Sequence, residues 1–253
     1  MIRLESVTFS YAPGLPIFQD FSWQVARGEA WAVIGPSGCG KSTLLALLAG
    51  LCIPTAGQVL VDGAPLDRPR PYSGLIIQDY GLLPWATVRQ NAELGLRVRR
   101  FYGPDGTHAP KENPPTAGVD YWLERLGLLP VAEAYPGQVS GGQRQRAAIA
   151  RTLALQPDLL LMDEPFSSLD APTRDGLQAL TLDLWREQNL TMVIVTHAIE
   201  EAAMLGRKIL LLGHPPVCAG MVVDNPAWGQ PEYRDTAEYL ALCRELRGLL
   251  EAS

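Results

Sequence analysis

Short, wholly apolar runs alternate along this chain with longer stretches of helical spacing. The segment EAWAVIG at 29–35 is a strand of buried type that breaks at glycine, and KSTLLALLAGL from Lys41 follows with helical length and composition. The N-terminal MIRLESVTFSY alternates apolar and polar positions, the pattern of a half-buried strand. GQVLVDGAPL at 57–66 predicts a hairpin with Asp62 and Gly63 in its turn. GLIIQDY (74–80), DLLLMDEP (158–165), TMVIVTHA (191–198) and KILLLG (208–213) are further apolar strands, separated by helical stretches such as 173–188. Strands and helices in that order predict an α/β fold with a largely parallel core sheet, accompanied by an N-terminal antiparallel β part.

Between the strands at 74–80 and 158–165 the chain is mostly helical, from Thr87 to about Leu155, and a separate helical lobe is expected there. Within it GPDGTHAPKENPPTAG (103–118) reads as a loop or disordered insertion. Near the C-terminus Asp235 as cap and Glu238 three residues on predict a helix with Tyr239, Leu242, Cys243, Leu246 and Leu250 on one side. That side is expected to pack on its own domain. No internal repeat and no heptad run is present. The expected layout is one domain over 1–253, with an α/β core and its β part at 1–86 and 156–220, the lobe at 87–155 and a C-terminal extension at 221–253.

Composition narrows the function classes. The chain has 253 residues, enough for a sizeable core, and 47% hydrophobic with 19% charged residues is ordinary for a globular protein. A net charge of −6 gives no electrostatic footprint for nucleic acid, and Arg97, Arg99 and Arg100 are too few to reverse that; they are expected to form a solvated face. Cys39, Cys52, Cys218 and Cys243 lack metal-like pairing, so reduced thiols are expected. The N-terminus has no secretory pattern, and the longest apolar stretch, Leu44 to Ile53, is far short of the roughly 20 residues that span a bilayer. If a membrane is involved, another chain crosses it.

Candidate chemistry begins at Gly35-Pro36-Ser37-Gly38-Cys39-Gly40-Lys41-Ser42-Thr43, a full G-x-x-x-x-G-K-[ST] match between strand and helix. Glycines let the backbone curl until successive N–H groups face one anion, and the helix beginning at Lys41 adds its positive end. Lys41 supplies a full charge near the β- and γ-phosphates, and the Ser42 hydroxyl can ligate Mg²⁺. Downstream, the strand LLLM ends in Asp163-Glu164. Asp163 is placed to hold Mg²⁺ through its water shell, and Glu164 to accept a proton from the attacking water. No Asn-Lys-x-Asp motif for reading guanine occurs, which favours ATP over GTP.

VSGGQRQR (139–146) then places Ser140, Gly141, Gly142 and Gln143 at the start of a second helix. It resembles the signature of the ATP-binding-cassette (ABC) ATPases. The resemblance implies a P-loop NTPase core with a helical signature lobe. It also implies that two copies pair head to tail, so that Ser140-Gly141-Gly142 of one chain caps the γ-phosphate of ATP on the phosphate loop of the other. Further positions match in turn. Tyr11 resembles the aromatic that stacks on adenine, and Gln78 the glutamine that reaches Mg²⁺ and water while linking to the membrane subunit. Ser168-Leu169-Asp170 resembles the loop crossing the dimer interface, and His197 the switch histidine at the γ-phosphate. Each also has a plainer role open to it: a surface tyrosine, a strand-end glutamine or histidine, a helix-capping aspartate. His108 and His214 match nothing and are expected at the surface. Departures from the pattern are Val139 for leucine, Ser168 for alanine and the insertion at 103–118.

The resemblance implies a transport ATPase binding ATP and Mg²⁺, with separate transmembrane permease subunits, a solute-binding protein, a second copy of itself and no nucleic acid as partners. It places the chain peripherally on the cytoplasmic face of the inner membrane. QDYGLLPWATVRQNAELGL (78–96) and EYLALCRELRGLL look most like the nitrate, sulfonate and taurine importers, with Tyr80, Leu82, Leu83, Pro84 and Trp85 expected to face a partner helix or to pack within the lobe. An exporter stays open, as does a soluble ABC ATPase of DNA repair or translation. The repair type separates its phosphate loop and signature by long coiled coils, whereas Lys41 and Ser140 lie only about a hundred residues apart.

Overall fold

The computed structural model describes residues 1–102, 117–229 and 232–252. In chain order β1 (Ile2–Ser10), β2 (Pro16–Val25) and β3 (Ala30–Ile34) lead into α1 (Lys41–Leu48), and β4 (Ala56–Val61), β5 (Ala64–Pro65) and β6 (Ser73–Ile76) follow. Next come α2 (Val88–Tyr102), α3 (Ala117–Arg125) and α4 (Gly141–Leu153). The remainder is β7 (Leu159–Asp163), α5 (Ala171–Gln188), β8 (Thr191–Val195), α6 (Ile199–Leu205), β9 (Lys208–Leu212), β10 (Gly220–Asp224) and α7 (Ala237–Ala252).

The described residues form two sheets. One is antiparallel, in the order β2-β1-β4-β5. Its β4–β5 turn holds Asp62 at φ 52° and Gly63 at φ 79°, the two left-handed residues a tight hairpin needs. The other has six strands in the order β10-β9-β3-β8-β7-β6, parallel throughout except where β10 runs against β9. β3 and β8 are buried at every position, which is why they read as continuous apolar runs.

Alternation along these strands sends neighbouring residues to different layers. Leu159, Leu161, Val193 and Val195 pack with α1 and the antiparallel sheet around Phe18, Phe21 and Leu44. Their neighbours Leu160, Met162, Met192 and Ile194 pack into the helical side with Leu123, Ile149 and Leu177. Each fully buried side chain of this size contributes about 1.5–3 kcal/mol of hydrophobic burial, which holds the sheet between its two layers. On β3 and β9, Ala32, Ile34, Ile209 and Leu211 meet Ala202 and Ala203 of α6 and Leu246 of α7.

α7 carries the predicted side: Tyr239, Leu242, Cys243 and Leu246 are buried and Leu250 packs beside them, all on this chain's own core. Its cap differs from expectation. Thr236 Oγ1 accepts from the Tyr239 N–H at 3.2 Å, while Asp235 ends a short 3₁₀ turn with Tyr233 and Arg234. The strand expected at 74–80 stops at Ile76, where the chain enters a turn closed by the Tyr80 N–H donating to Ile77 O at 2.9 Å, with Tyr80 left-handed at φ 62°. Most of the insertion at 103–118, His108 included, lies outside the described residues; Ala117 and Gly118 already belong to α3. His214 is exposed, as expected.

The arginine cluster is not one solvated face. Arg97 is exposed and pairs with Glu93, but Arg99 turns inward, donating to the carbonyls of Leu155 (2.9 Å) and Pro71 and lying over the Tyr72 ring. Burial lowers its pKa. The Arg100 side chain lies outside the described residues.

Candidate functional site

Parallel pairing puts the carboxyl ends of β3, β8, β7 and β6 at one edge of the sheet. Register levels them: Val33 pairs with Val195, Val195 with Asp163, and Ile76 with Met162. Each strand then runs into candidate chemistry, namely Gly35 after β3, His197 after β8, Asp163-Glu164 at the end of β7 and Gln78 beyond β6. Clefts at such an edge are where α/β sheets hold ligands.

The loop after β3 curls as the glycines predict. Gly40 stands at φ 100°, and a β-carbon there would fall 2.5 Å from Ile17 Cγ2, so no other residue fits without movement. Gly40 is also the N-cap of α1, which no side chain caps, leaving the first-turn N–H groups facing the loop. Ser37, Gly38 and Ser42 are exposed, Pro36 and Gly40 half-buried, and Gly35, Cys39, Lys41 and Thr43 buried. Lys41 Nζ donates to Gly35 O at 2.8 Å and Pro36 O at 3.0 Å. Burial pushes the Cys39 thiol pKa up, against the pull of Lys41. Tyr11 stands beside the loop, 68% exposed and edge-on to Phe9, with its hydroxyl accepting from Thr43 Oγ1 at 3.5 Å. An exposed ring held at its edge and tip leaves a face free for a flat ligand.

Ser42 and Asp163 come together, the serine hydroxyl donating to the carboxylate. Burial raises the Asp163 pKa, Ser42 opposes the rise, and neighbouring Glu164 adds to it. A carboxylate and a hydroxyl at a half-buried strand end are the hard oxygen donors Mg²⁺ takes. Glu164 follows at φ 45°, its N–H donating to Val195 O at 2.8 Å. Its carboxylate is a meeting point: Gln78 Nε2 donates to Oε2 at 3.4 Å, and His197 Nδ1 lies 3.1 Å from the same oxygen. Residues from two neighbouring strand ends thus converge on one carboxylate.

The signature segment sits on a helix end of different construction. Ser140 Oγ accepts from the Gln143 N–H at 3.2 Å while Gln143 Oε1 accepts from the Ser140 N–H at 2.9 Å, a reciprocal capping box at the start of α4. Gly142 is buried, and a β-carbon on it would come 2.5 Å from Thr173 Cγ2 on α5. The close approach it permits is therefore helix on helix. Asp170 caps α5, accepting from the Thr173 N–H at 3.4 Å.

The apolar segment after Gln78 is split. Tyr80 is buried, its hydroxyl 2.5 Å from Ser168 Oγ, and Leu82 packs on the core, so only Pro84 and Trp85 face outward, Trp85 at 73%. A phenol and an indole look alike in an apolar sequence pattern, and the hydrogen-bond partner that draws one inward lies 88 residues away.

Two more residues at the site escape sequence reasoning. Arg151 of α4 donates to Gly81 O (2.6 Å) and Tyr80 O (2.8 Å), fixing the segment after Gln78, with its pKa lowered by burial. Glu201 of α6 is buried beside Thr196 and Gln178, which hydrogen-bond it; burial raises its pKa. The repeated acids in IEEAAM are the one signal that could have flagged it.

A phosphate cradle, a hydroxyl–carboxylate pair and a carboxylate gripped from two sides define a P-loop nucleoside-triphosphatase. Residues 18–167, more than half the chain, match the ABC transporter family. The chain is 42% identical over 200 residues to the taurine import ATP-binding protein TauB of Pseudomonas aeruginosa, covering 79% of this chain and 73% of that protein. It is 40% identical over 198 residues to the nitrate import ATP-binding protein NrtD of Synechocystis sp., covering 78% and 71%. In structure it resembles the dimeric post-hydrolysis state of the ATP-binding cassette MJ0796 bound to ADP and Pi. There the TM-score is 0.74 at 30% identity, over 89% of this chain and 99% of that one. The chain belongs to the ABC transporter family, with the ATP binding and transport-coupled ATPase activity that membership carries. Among the described residues no helix is long and apolar enough to cross a membrane.

Proposed function

We propose that this chain is the ATP-hydrolysing subunit of an importer for nitrate-, sulfonate- or taurine-type solutes, acting peripherally at the cytoplasmic face of the inner membrane. The taurine and nitrate import names of its relatives favour transport over the repair and translation alternatives. Two copies close head to tail on ATP, and separate transmembrane permease subunits, fed by a solute-binding protein, receive the motion. In this reading 1–86 and 156–220 form the ATPase core, 87–155 the lobe and 221–253 an extension of the same domain.

The convergence of Gln78 and His197 on the Glu164 carboxylate carries the reading. Glu164 accepts the proton of the attacking water, and His197 and Gln78 orient that water and the γ-phosphate. Tyr11 stacks on adenine, and Gly35, Pro36, Ser37, Gly38, Cys39, Gly40, Lys41, Ser42 and Thr43 enclose the phosphates. Ser42 and Asp163, with Gln78, would hold Mg²⁺, whose charge neutralises the phosphate oxygens. Ser140, Gly141, Gly142, Gln143 and Asp170 serve the nucleotide of the partner copy. Capping leaves this open, since Ser140 uses a lone pair for its own helix and keeps its O–H to donate.

For the permease, a groove of about 610 Å³ runs beside β6, lined by Pro69, Leu75, Leu94, Val98, Arg99 and Leu155. In Glu164→Gln, ATP affinity stays at the parent value while steady-state turnover falls by about 100-fold or more, because the amide keeps its contacts and loses the base. Hydrolysis near the parent rate would end the assignment.

A further inference from the structure

The Gln78 segment and the loop that ends at Asp170 touch twice. The first contact is Gln78 Nε2 on Glu164 Oε2, in the exposed part of the site. The second is the half-buried hydroxyl pair, Tyr80 OH to Ser168 Oγ at 2.5 Å. One residue separates the contact points on one segment and three on the other, so the two bonds close a small ring through both segments. Ser167 stiffens that ring: its N–H and its Oγ both donate to Glu164 O, at 3.3 and 3.0 Å.

Everything around Tyr80 serves to deliver its hydroxyl to this place. A tyrosine at φ 62° is strained, and such strain persists only where surroundings over-determine it. Its N–H donates to Ile77 O at 2.9 Å, its carbonyl takes Arg151, and the Arg144 guanidinium lies over its ring at 6.0 Å. Arg144 and Arg151 both belong to α4, the helix that Ser140 begins. Tyr80 therefore links three things at once: the Gln78 segment by its backbone, the signature helix by its ring and carbonyl, and the Asp170 loop by its hydroxyl.

We propose that Tyr80 and Ser168 form a positioning pair for ATP hydrolysis, their hydroxyl–hydroxyl bond holding Gln78 opposite Glu164 and tying the signature helix to the Asp170 loop. Neither residue is assigned a contact with the nucleotide. They act through Gln78 and Glu164, so the proposal rests on the catalytic assignments of those two residues.

Removing either hydroxyl loosens the ring without disturbing the phosphate cradle, which predicts a change in turnover and not in binding. Steady-state ATPase kinetics of the full chain would be measured for Tyr80→Phe, Ser168→Ala, the double variant and Ser168→Thr. Each single loss is expected to lower kcat about three- to tenfold, the worth of one neutral hydrogen bond, with KM for ATP within about twofold of the parent. The double variant should be no slower than the slower single, and Ser168→Thr, which keeps a hydroxyl, should recover most of the loss. Both singles at the parent kcat, or losses that multiply in the double variant, would overturn the pair. A raised KM with unchanged kcat would overturn it as well. Thermal melting of each variant separates misfolding, which Tyr80→Phe is least apt to cause because the ring stays in place. Glu164→Gln run alongside keeps the two ideas apart: if it turns over normally the catalytic assignment fails, whereas an inactive Glu164→Gln with unaffected hydroxyl variants removes the positioning pair alone.

Discussion

Two helices of this molecule begin at glycines and serines suited to phosphate, and they are built in opposite ways. α1 starts at Gly40 with no side-chain cap and a buried lysine folded over the loop carbonyls. α4 starts at Ser140 with its end closed by a full capping box and exposed to the outside. The first is an incomplete structure that an anion completes, since its N–H groups have no other side-chain partner. The second is complete by itself and has only spare donors to offer, the Ser140 O–H and the Gln143 Nε2. In the proposed reading the first serves this chain's own nucleotide, and the second is a finished surface presented to a neighbour.

Removing the buried lysine charge should weaken the first helix end most. Lys41→Ala should cost about 2–3 kcal/mol of nucleotide affinity, close to a hundredfold in Kd by titration calorimetry, because a phosphate loses its charged donor. Ser140→Arg should leave that first affinity unchanged. Mixed with Lys41→Ala chains, with Glu164→Gln in both to stop hydrolysis, it should restore an ATP-trapped dimer that neither forms alone. Lack of trapping in verified mixed dimers would show that the two helix ends act within one chain.

Packing at the signature comes next. Gly142→Ala drives a methyl toward Thr173 Cγ2 and should lower stability by about 1–3 kcal/mol in denaturant melts. Thr173→Ser, which removes that methyl, should restore most of it; no rescue would mean that Gly142 is needed for something other than α5. The cap is smaller. Ser140→Ala should cost about 1 kcal/mol of stability, while a mutation in the uncapped loop, Ser37→Ala, should cost almost none.

The smallest effect concerns charge at the strand end. Burial, chiefly, holds the Asp163 pKa above its ordinary value. A carboxyl raised on folding loses stability as pH climbs from the unfolded value through the folded one, and the full cost is present above it. Asp163→Asn should therefore melt slightly higher than the parent at neutral pH, with the gain vanishing as pH falls below the usual carboxylate range. Such a gain would come with lost turnover. Equal melting at neutral pH would mean that Ser42 fully offsets the burial.

Sequence alone revealed the glycine loop between β3 and α1, the Asp163-Glu164 pair at a strand end and the succession of strands and helices along the chain, because each of these depends on neighbours in the chain: a buried run, a glycine, a helix. Gly142, Tyr80 and Arg99 escaped it for a common reason. Each is explained by a partner on another element, Thr173, Ser168 and the Leu155 and Pro71 carbonyls, and no local pattern encodes which distant atom a side chain will meet. Asp235 against Thr236 is a different kind of miss, one position of register at a helix start, where both residue types cap well.

Asp163 and Glu164 are joined by one peptide bond, with the first inside β7 and the second turned left-handed just past it. Their separation is thus set by covalent geometry and by the deepest strands of the sheet, whereas Gln78 and His197 arrive on segments outside their strands. The site has one part fixed by the sheet and two carried on the segments beyond it. In the proposed reading, motion from a permease or a second copy has no need to move Glu164; it has only to make or loosen the Gln78 and His197 contacts for the same carboxylate to be armed or idle.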